Sequence, residues 1–213
     1  NNILSSVIGF TELALDDVEK GTQLEDSLQE VFKAGKRARD LVKQILTFAR
    51  RTDAELKPMQ VVSIVKDALK LIRASIPVTI DIQQHIESDA VIMGNSGQMH
   101  QLFINLCTNA AQAMDDTGGI LKVDLKDVEI DTSFSMRTVD LAPGSYLLST
   151  VTDSGPGITP DIIDSIFEPF FTTKGVGEGT GMGLAMVHGI VEDHGGKIFI
   201  NREPGKGSVF SVY

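Results

Sequence analysis

Apolar residues recur at helical spacing through residues 1–53 and then give way to shorter, mixed runs. Ile3, Leu4, Val7, Ile8, Leu13, Leu15 and Val18 form one broad stripe, which Glu19, Lys20 and Gly21 end in a turn. Leu24, Leu28, Val31, Ala38, Leu41, Val42, Ile45, Leu46 and Phe48 form a second, with charges on the opposite face. Two helices cannot by themselves hide both stripes from water. The pattern predicts an antiparallel helical hairpin that completes its core by pairing with a second copy as a four-helix bundle. Packing on the rest of its own chain is the alternative.

Lys57 and Pro58 mark a boundary, because proline stops helices and the pattern changes there. The expected division is 1–56 and 57–213. Beyond it, Val61 to Ala74 reads as a helix, Val78 to His85 and Ala90 to Met93 as strands, and Gly97 to Met114 as a helix. Leu121 to Ile130 and Tyr146 to Asp153 read as strands, Met182 to His194 as a helix. Lys197 to Asn201 and Ser208 to Tyr213 form a hairpin around Pro204 to Gly207. Strands interleaved with helices without regular βαβ spacing predict an α+β two-layer sandwich for this part.

Composition excludes several function classes. A formal net charge of −10 opposes binding to a nucleic-acid backbone, which requires a basic face. The acidity is uneven: residues 1–53 hold eight Lys and Arg against nine Asp and Glu, so the helical segment is nearly neutral. Cys107 is the single cysteine, which excludes an internal disulfide and a cysteine zinc cage and fits a reducing, cytoplasmic compartment. No apolar run approaches the roughly 20 residues that span a bilayer. The sequence begins and stops inside patterned segments and reads as a piece of a longer protein.

The densest chemical signal lies at Lys174 to Leu184, KGVGEGTGMGL, with glycine at 175, 177, 179, 181 and 183. Such a run loses too much entropy to be a good core strand and suits a loop that closes over a ligand. It feeds directly into a helix N-terminus, where free backbone N–H groups favour an anion such as phosphate. A flexible linker is the alternative.

Three further segments join it. Asn105 and Asn109 sit four residues apart, hence on one helical face, and asparagine is a mediocre helix former. Oxygen ligation of Mg2+, an ion that takes few protein ligands and fills its shell with water and phosphates, would explain them. A buried hydrogen-bonded pair or an exposed face is the alternative, and Ala110, Ala111 and Ala113 shift the balance toward a ligand, since small side chains let something approach the helix closely. Asp153 to Gly157, DSGPG, ends a strand; it has turn composition, and its carboxylate is also suited to accept a hydrogen bond from a flat heterocycle such as adenine. Phe167 to Lys174, FEPFFTTK, reads as an apolar anchor for a mobile lid, with Lys174 as a point charge near phosphates and with core packing of Phe167 and Phe170 as the alternative.

In their order and spacing, Asn105 to Met114, Asp153 to Gly157, Phe167 to Lys174 and Gly177 to Leu184 resemble the N, first glycine, F and second glycine boxes of sensor histidine kinases, whose catalytic domain has the Bergerat ATP-binding fold. NNILSSVIGFTELAL resembles the dimerisation and phosphoacceptor helix of the subgroup with a His-Asp-Phe-Asn-Asn motif. In that motif the phosphorylated histidine lies three residues before Asn1. His85, His100, His188 and His194 match none of the acceptor position, and His188 and His194 read as structural.

The resemblance implies a kinase that binds Mg-ATP, passes its terminal phosphoryl group to a histidine and then to a response-regulator receiver aspartate, and dimerises through the N-terminal helices. It implies Asn109 as metal ligand with Asn105 in support. Adenine falls to Asp153, with Gly155 and Gly157 allowing close approach. The lid residues Gly177, Gly179, Thr180, Gly181, Met182, Gly183 and Leu184 fall beside the phosphates with Lys174, and Asn2 stands where related kinases orient water for dephosphorylating the receiver. ATPases of the same fold carry a general-base glutamate where this chain has Asn105, so slow hydrolysis is expected. That ATPase class and a non-catalytic nucleotide-responsive dimer are the alternatives.

Overall fold

The computed structural model describes residues 2–49, 56–115, 117–131, 141–175, 179–202 and 206–213. The chain divides into two compact units, Asn1–Asp53 with Phe170–Met182, and Ala54–Pro169 with Gly183–Tyr213.

The first unit holds α1 (Asn2–Asp17) and α2 (Gln23–Ala49). Gly21, at φ 79°, makes the turn between them, and its N–H donates to the Glu25 carboxylate. Thr22 supplies the cap of α2, its hydroxyl accepting from Glu25 N–H at 3.2 Å. Ile8 is buried, and a Cβ on Gly35 would stand 3.0 Å from its Cγ1, so the two helices touch at close range there. Ile3 and Leu13 of the α1 stripe are 81 and 61% exposed, with Phe10 on the same helix at 73% and Leu24 on α2 at 60%. Much of the α1 stripe is therefore not covered within the described residues.

Among its described residues the second unit builds two sheets, three α-helices and a short 3-10 turn at Pro160–Ile162. Its elements are β1 (Lys57–Gln60), α3 (Val61–Ser75), β2 (Ile80–Ile86), β3 (Val91–Gly94), α4 (Ser96–Ala113), β4 (Gly119–Ile130), β5 (Gly144–Asp153), α5 (Gly183–Asp193), β6 (Ile198–Arg202) and β7 (Ser208–Val212). Strands β2, β4, β5, β7 and β6 lie side by side in that order, with β2 parallel to β4 and the other neighbours antiparallel. The predicted elements appear with ends shifted by two residues at most, and the α+β class holds. One strand was not predicted: Lys57–Gln60 pairs antiparallel with Val91–Gly94 as a separate ribbon, and Pro58 fits because a two-stranded ribbon is all edge.

Alternation on β4 explains the layer. Leu121, Val123 and Leu125 are fully buried and face the helices, while Lys122 and Asp124 pair with each other at 2.8 Å on the other side. Ile80, Val151 and Phe210 extend the same apolar face, and α3, α4 and α5 cover it with Val65, Ile72, Leu102, Phe103, Leu106, Val187 and Ile190. Side-chain hydrogen bonds pin the corners. Asn95 caps α4 by accepting from Gln98 N–H at 2.9 Å. Arg73 donates to the carbonyls of Ile76, Pro77 and Ile80 and holds the exit of α3. His194 accepts from Asn95 N–H at 3.0 Å through Nε2 and donates from Nδ1 to Ile190 O at 2.8 Å, the structural role expected for it.

Candidate functional site

Helix α4 is the spine of the site. Residues 101, 105, 109 and 113 recur every fourth position and line one face of it. Each described member of that row meets a functional segment. Gln101 donates from Nε2 to Asn105 Oδ1 at 3.0 Å, and Asn105 donates from Nδ2 to the carbonyl of Gly183 at 3.3 Å. A Cβ on Gly183 would lie 3.5 Å from Asn109 Nδ2 and 3.7 Å from its Oδ1, so the start of α5 rests against the Asn109 amide. One turn further on, Ala113 meets the Asp153 to Gly157 turn: a Cβ on Gly155 would stand 3.0 Å from Ala113 O and 3.3 Å from Ala113 Cβ. Only glycine fits at 155 without displacing either the helix end or the neighbouring carboxylate.

The alanines separate in role. Ala113 is exposed and supports the turn, whereas Ala110 and Ala111 are each 4% exposed and belong to the core. Their small size serves packing against the sheet and gives no ligand access. Asn105 has two further partners. Its oxygen accepts from Gln101, and its amide nitrogen donates to the Gly183 carbonyl, so it bridges α4 and the start of α5.

Asp153 closes β5 and is 3% exposed. Burial raises its carboxyl above its ordinary value, because desolvation disfavours the charge, while hydrogen bonds from Gly155 and Ser208 act the other way. Gly155 N–H donates to Oδ1 at 2.9 Å. The result is a buried acceptor fixed in direction at the end of a strand, suited to a planar donor. Ser154 steadies the turn behind it, its hydroxyl accepting from Ile120 N–H at 2.9 Å. Gly157 completes the turn at φ 78°. Ser208 went unnoticed in the sequence, since its place opposite Asp153 depends on the β5–β7 register.

Of the glycine-rich segment, the described residues up to Met182 belong to the first unit and Gly183 and Leu184 to the second. Phe170 N–H donates to Gly181 O at 3.0 Å, which ties the two ends of the loop together. Gly181 has φ 65°, and a Cβ there would overlap the backbone of Phe170, so glycine is required by this tie. Gly179 likewise sits against Thr172 Oγ1, where a Cβ would stand at 2.7 Å. Lys174 is exposed and its N–H donates to Thr172 Oγ1 at 3.2 Å. Met182 is buried and its N–H reaches Thr180 Oγ1 at 3.5 Å. Gly177 lies outside the described residues, as does the side chain of Asn2, which heads α1.

The phenylalanines divide as well. Phe170 is 62% exposed at φ 70°, so it does not anchor a lid by burial. Phe167 is half-buried, its ring centroid 5.1 Å from that of His188 on α5. The helix that follows the loop, α5, begins at Gly183 with Leu184 half-buried and no acidic residue in its first turn. Its positive end is left without a competing carboxylate of its own.

Among the described residues, no group of three or more His, Cys, Asp or Glu could hold a metal ion. A cation here would rest on an amide oxygen together with ligand phosphates, a donor set that suits Mg2+. Asn109 has the exposure and position for that. No helix among the described residues is long and apolar enough to cross a membrane.

Comparison with known proteins agrees with this geometry. Residues 94–213 match the family model described as "Histidine kinase-, DNA gyrase B-, and HSP90-like ATPase". The sensor kinase CckA of Brucella abortus (strain 2308) is 31% identical over the whole chain, which spans 22% of that protein. The sensor histidine kinase ZraS of Escherichia coli (strain K12) is also 31% identical over the whole chain, which spans 42% of it. The chain thus covers less than half of either relative. Among solved structures, the catalytic domain of histidine kinase ThkA superposes with a TM-score of 0.59 at 28% identity, over 74% of this chain and 93% of that one. Full-length ShkA in complex with AMPPNP superposes at 0.72 and 24% identity over 99% of this chain and 42% of that one, a likeness of fold. The family match takes in more than half of the sequence and runs from β3 to the last residue, through every element that carries Asn105, Asn109, Asp153 and Gly183; the chain belongs to the histidine kinase-, DNA gyrase B- and HSP90-like ATPase family, and the two relatives named above are sensor kinases.

Proposed function

We propose that this chain is the core of an ATP-dependent protein-histidine kinase, with 1–56 as its dimerisation and phosphotransfer hairpin and 57–213 as its ATP-binding domain. The observation that carries the reading is the α4 row: Asn105 and Asn109 against Gly183, and Ala113 against the Gly155 turn that fixes the buried Asp153. In this reading Asp153 accepts from the adenine amino group, and Gly155 and Gly157 leave room for the base. Asn109 holds Mg2+, which when bound neutralises charge on the transferring phosphoryl group. The first-turn N–H groups of α5 serve the phosphates, a role that the resemblance alone extends to Lys174, Thr180 and the glycines of the loop. Phosphoryl transfer asks a protein mainly for such positioning. The acceptor is a histidine three residues before Asn1, and the final acceptor a receiver-domain aspartate of a response regulator. Asn2, one helical turn after that histidine, orients the water that hydrolyses the receiver's phospho-aspartate and releases inorganic phosphate. The exposed Ile3, Phe10 and Leu13 supply the face on which two copies dimerise.

Asn105 favours a kinase over an ATPase of the same family, since an amide cannot take a proton from water. The deciding experiment is incubation of labelled ATP with this chain and with a version extended upstream through the histidine. Acid-labile label on the extended protein alone is the expected result. Steady release of inorganic phosphate by both, with no label on either, would replace the kinase with an ATPase.

A further inference from the structure

Gln101 lies one helical turn before the two asparagines, and no motif or resemblance above gives it a role. It starts a hydrogen-bond chain whose direction is forced from the far end. The Gly183 carbonyl can only accept, so Asn105 must turn its NH2 group to it, at 3.3 Å. Oδ1 of Asn105 is thereby aimed back along α4, where it requires a donor. Gln101 meets it with its own NH2 group at 3.0 Å. Reversing either amide would set two oxygens against each other.

We propose that Gln101 is a positioning residue for nucleotide binding, acting through Asn105, and that Asn105 is a latch on the root of the glycine loop and stands outside the metal shell. Gly183 is the residue at which the chain re-enters the second unit after Met182, and it begins α5 while touching the Asn109 amide. Holding its carbonyl to α4 therefore fixes the direction of the first-turn N–H groups of α5. Without Gln101 the Asn105 amide is free to rotate, and the latch loses its preferred orientation. This role rests on the nucleotide site proposed above.

The test is a donor series at position 101, read as the affinity for a fluorescent ATP analogue with Mg2+ at high ionic strength, which screens added charge. Gln101→Lys keeps a donor and should bind within about twofold of the unaltered chain, while Gln101→Met should weaken binding about three- to tenfold, the range for one hydrogen bond. Gln101→Glu keeps the shape but presents only acceptors, and should be weakest. In an Asn105→Ala background, Gln101→Met should have no further effect, because the two act in series. The Mg2+ concentration at half-saturation should stay fixed in all of these variants, and thermal unfolding reports whether each is folded. Additive losses in the double variant, or Lys, Met and Glu alike, would overturn the role of Gln101. A shifted Mg2+ midpoint in Asn105→Ala would return Asn105 to the metal shell and overturn the latch. If the unaltered chain binds no nucleotide, the proposed function falls and takes this role with it; binding that is equal in every variant removes this role alone.

Discussion

The two units solve the same problem of burying apolar stripes to different degrees. In the second, the inward positions of β4 are fully buried under three helices. In the first, α1 keeps Ile3, Phe10 and Leu13 mostly in contact with solvent, although its apolar spacing is as regular. Regular spacing therefore specifies the helix in both units but a finished core in only one. In the dimeric reading proposed above, that exposed face is half of an interface, and the free energy that would stabilise it waits on a second copy.

That contrast is broken or sharpened first by truncation of one large side chain from each unit. Phe103 is 2% exposed in the centre of α4, and Phe103→Ala should cost about 3–5 kcal/mol and lower the melting temperature of the ATP-binding part sharply. Phe10→Ala removes a side chain that is 73% exposed and should change monomer stability by no more than about 0.5 kcal/mol. Its effect belongs on self-association, with the dimer constant in analytical ultracentrifugation weakened about tenfold or more. A Phe10→Ala chain that loses its helices while staying monomeric would show that α1 is completed within its own chain.

The next effect in size concerns the nucleotide site. Asn109→Ala should reduce Mg-dependent ATP affinity by about a hundredfold, the consequence of removing the proposed ligand to the cation, and leave the dimer constant unchanged. Isothermal titration with ATP and Mg2+ checks it, and an unchanged affinity would remove Asn109 from the site.

Asp153 should follow, with opposite signs for stability and binding. Its carboxyl is raised above the unfolded value by burial, so the folded chain binds that proton more tightly than the unfolded chain does. The contribution to stability is thus greatest below the unfolded value and is lost as the pH rises through the folded one. Asp153→Asn removes the buried charge and should raise the ligand-free melting temperature at neutral pH by about one to four degrees, with a flatter pH dependence above pH 4. The same variant should lose most of the preference for ATP over GTP. A lower melting temperature at neutral pH would mean that the hydrogen bonds from Gly155 and Ser208 outweigh desolvation.

How much of this was legible in the sequence depends on the range of the interaction. Helices α1 to α5, six of the strands and the four motif segments follow from local spacing and turn chemistry, and they were readable. The strand Lys57–Gln60 was not, because its identity comes from pairing with Val91–Gly94 more than thirty residues away, while Pro58 argues locally for a break. Ala110 and Ala111 were read as leaving space for a ligand, when the sheet behind α4 fills it. Phe170 was read as an anchor, yet its left-handed backbone and its tie to Gly181 turn the ring outward. Gln101 sat at the right spacing for the α4 row and was legible in principle. What hid it was that its partner's obligation, the Gly183 carbonyl, lies 78 residues from Asn105 in the chain.

The smallest expected effect on nucleotide affinity is at Cys107, on the buried side of the same helix. It is fully buried, and desolvation pushes its thiol up to about 12. With almost no thiolate and no access, it should not react with a maleimide or an aromatic disulfide in the folded chain at pH 7.5, with or without nucleotide. In denaturant it should react at once and stoichiometrically, as one thiol per chain. Cys107→Ser should leave nucleotide affinity within about twofold and cost about 1–3 kcal/mol of stability, since the new hydroxyl would be buried where the thiol made no hydrogen bond. Labelling of the folded chain at a rate that tracks global unfolding would tie α4, and with it the row of Gln101, Asn105 and Asn109, to the most stable part of the molecule. Faster labelling would show that α4 opens on its own, and the contrast between a finished and an unfinished core would then no longer run between the two units but through the second one.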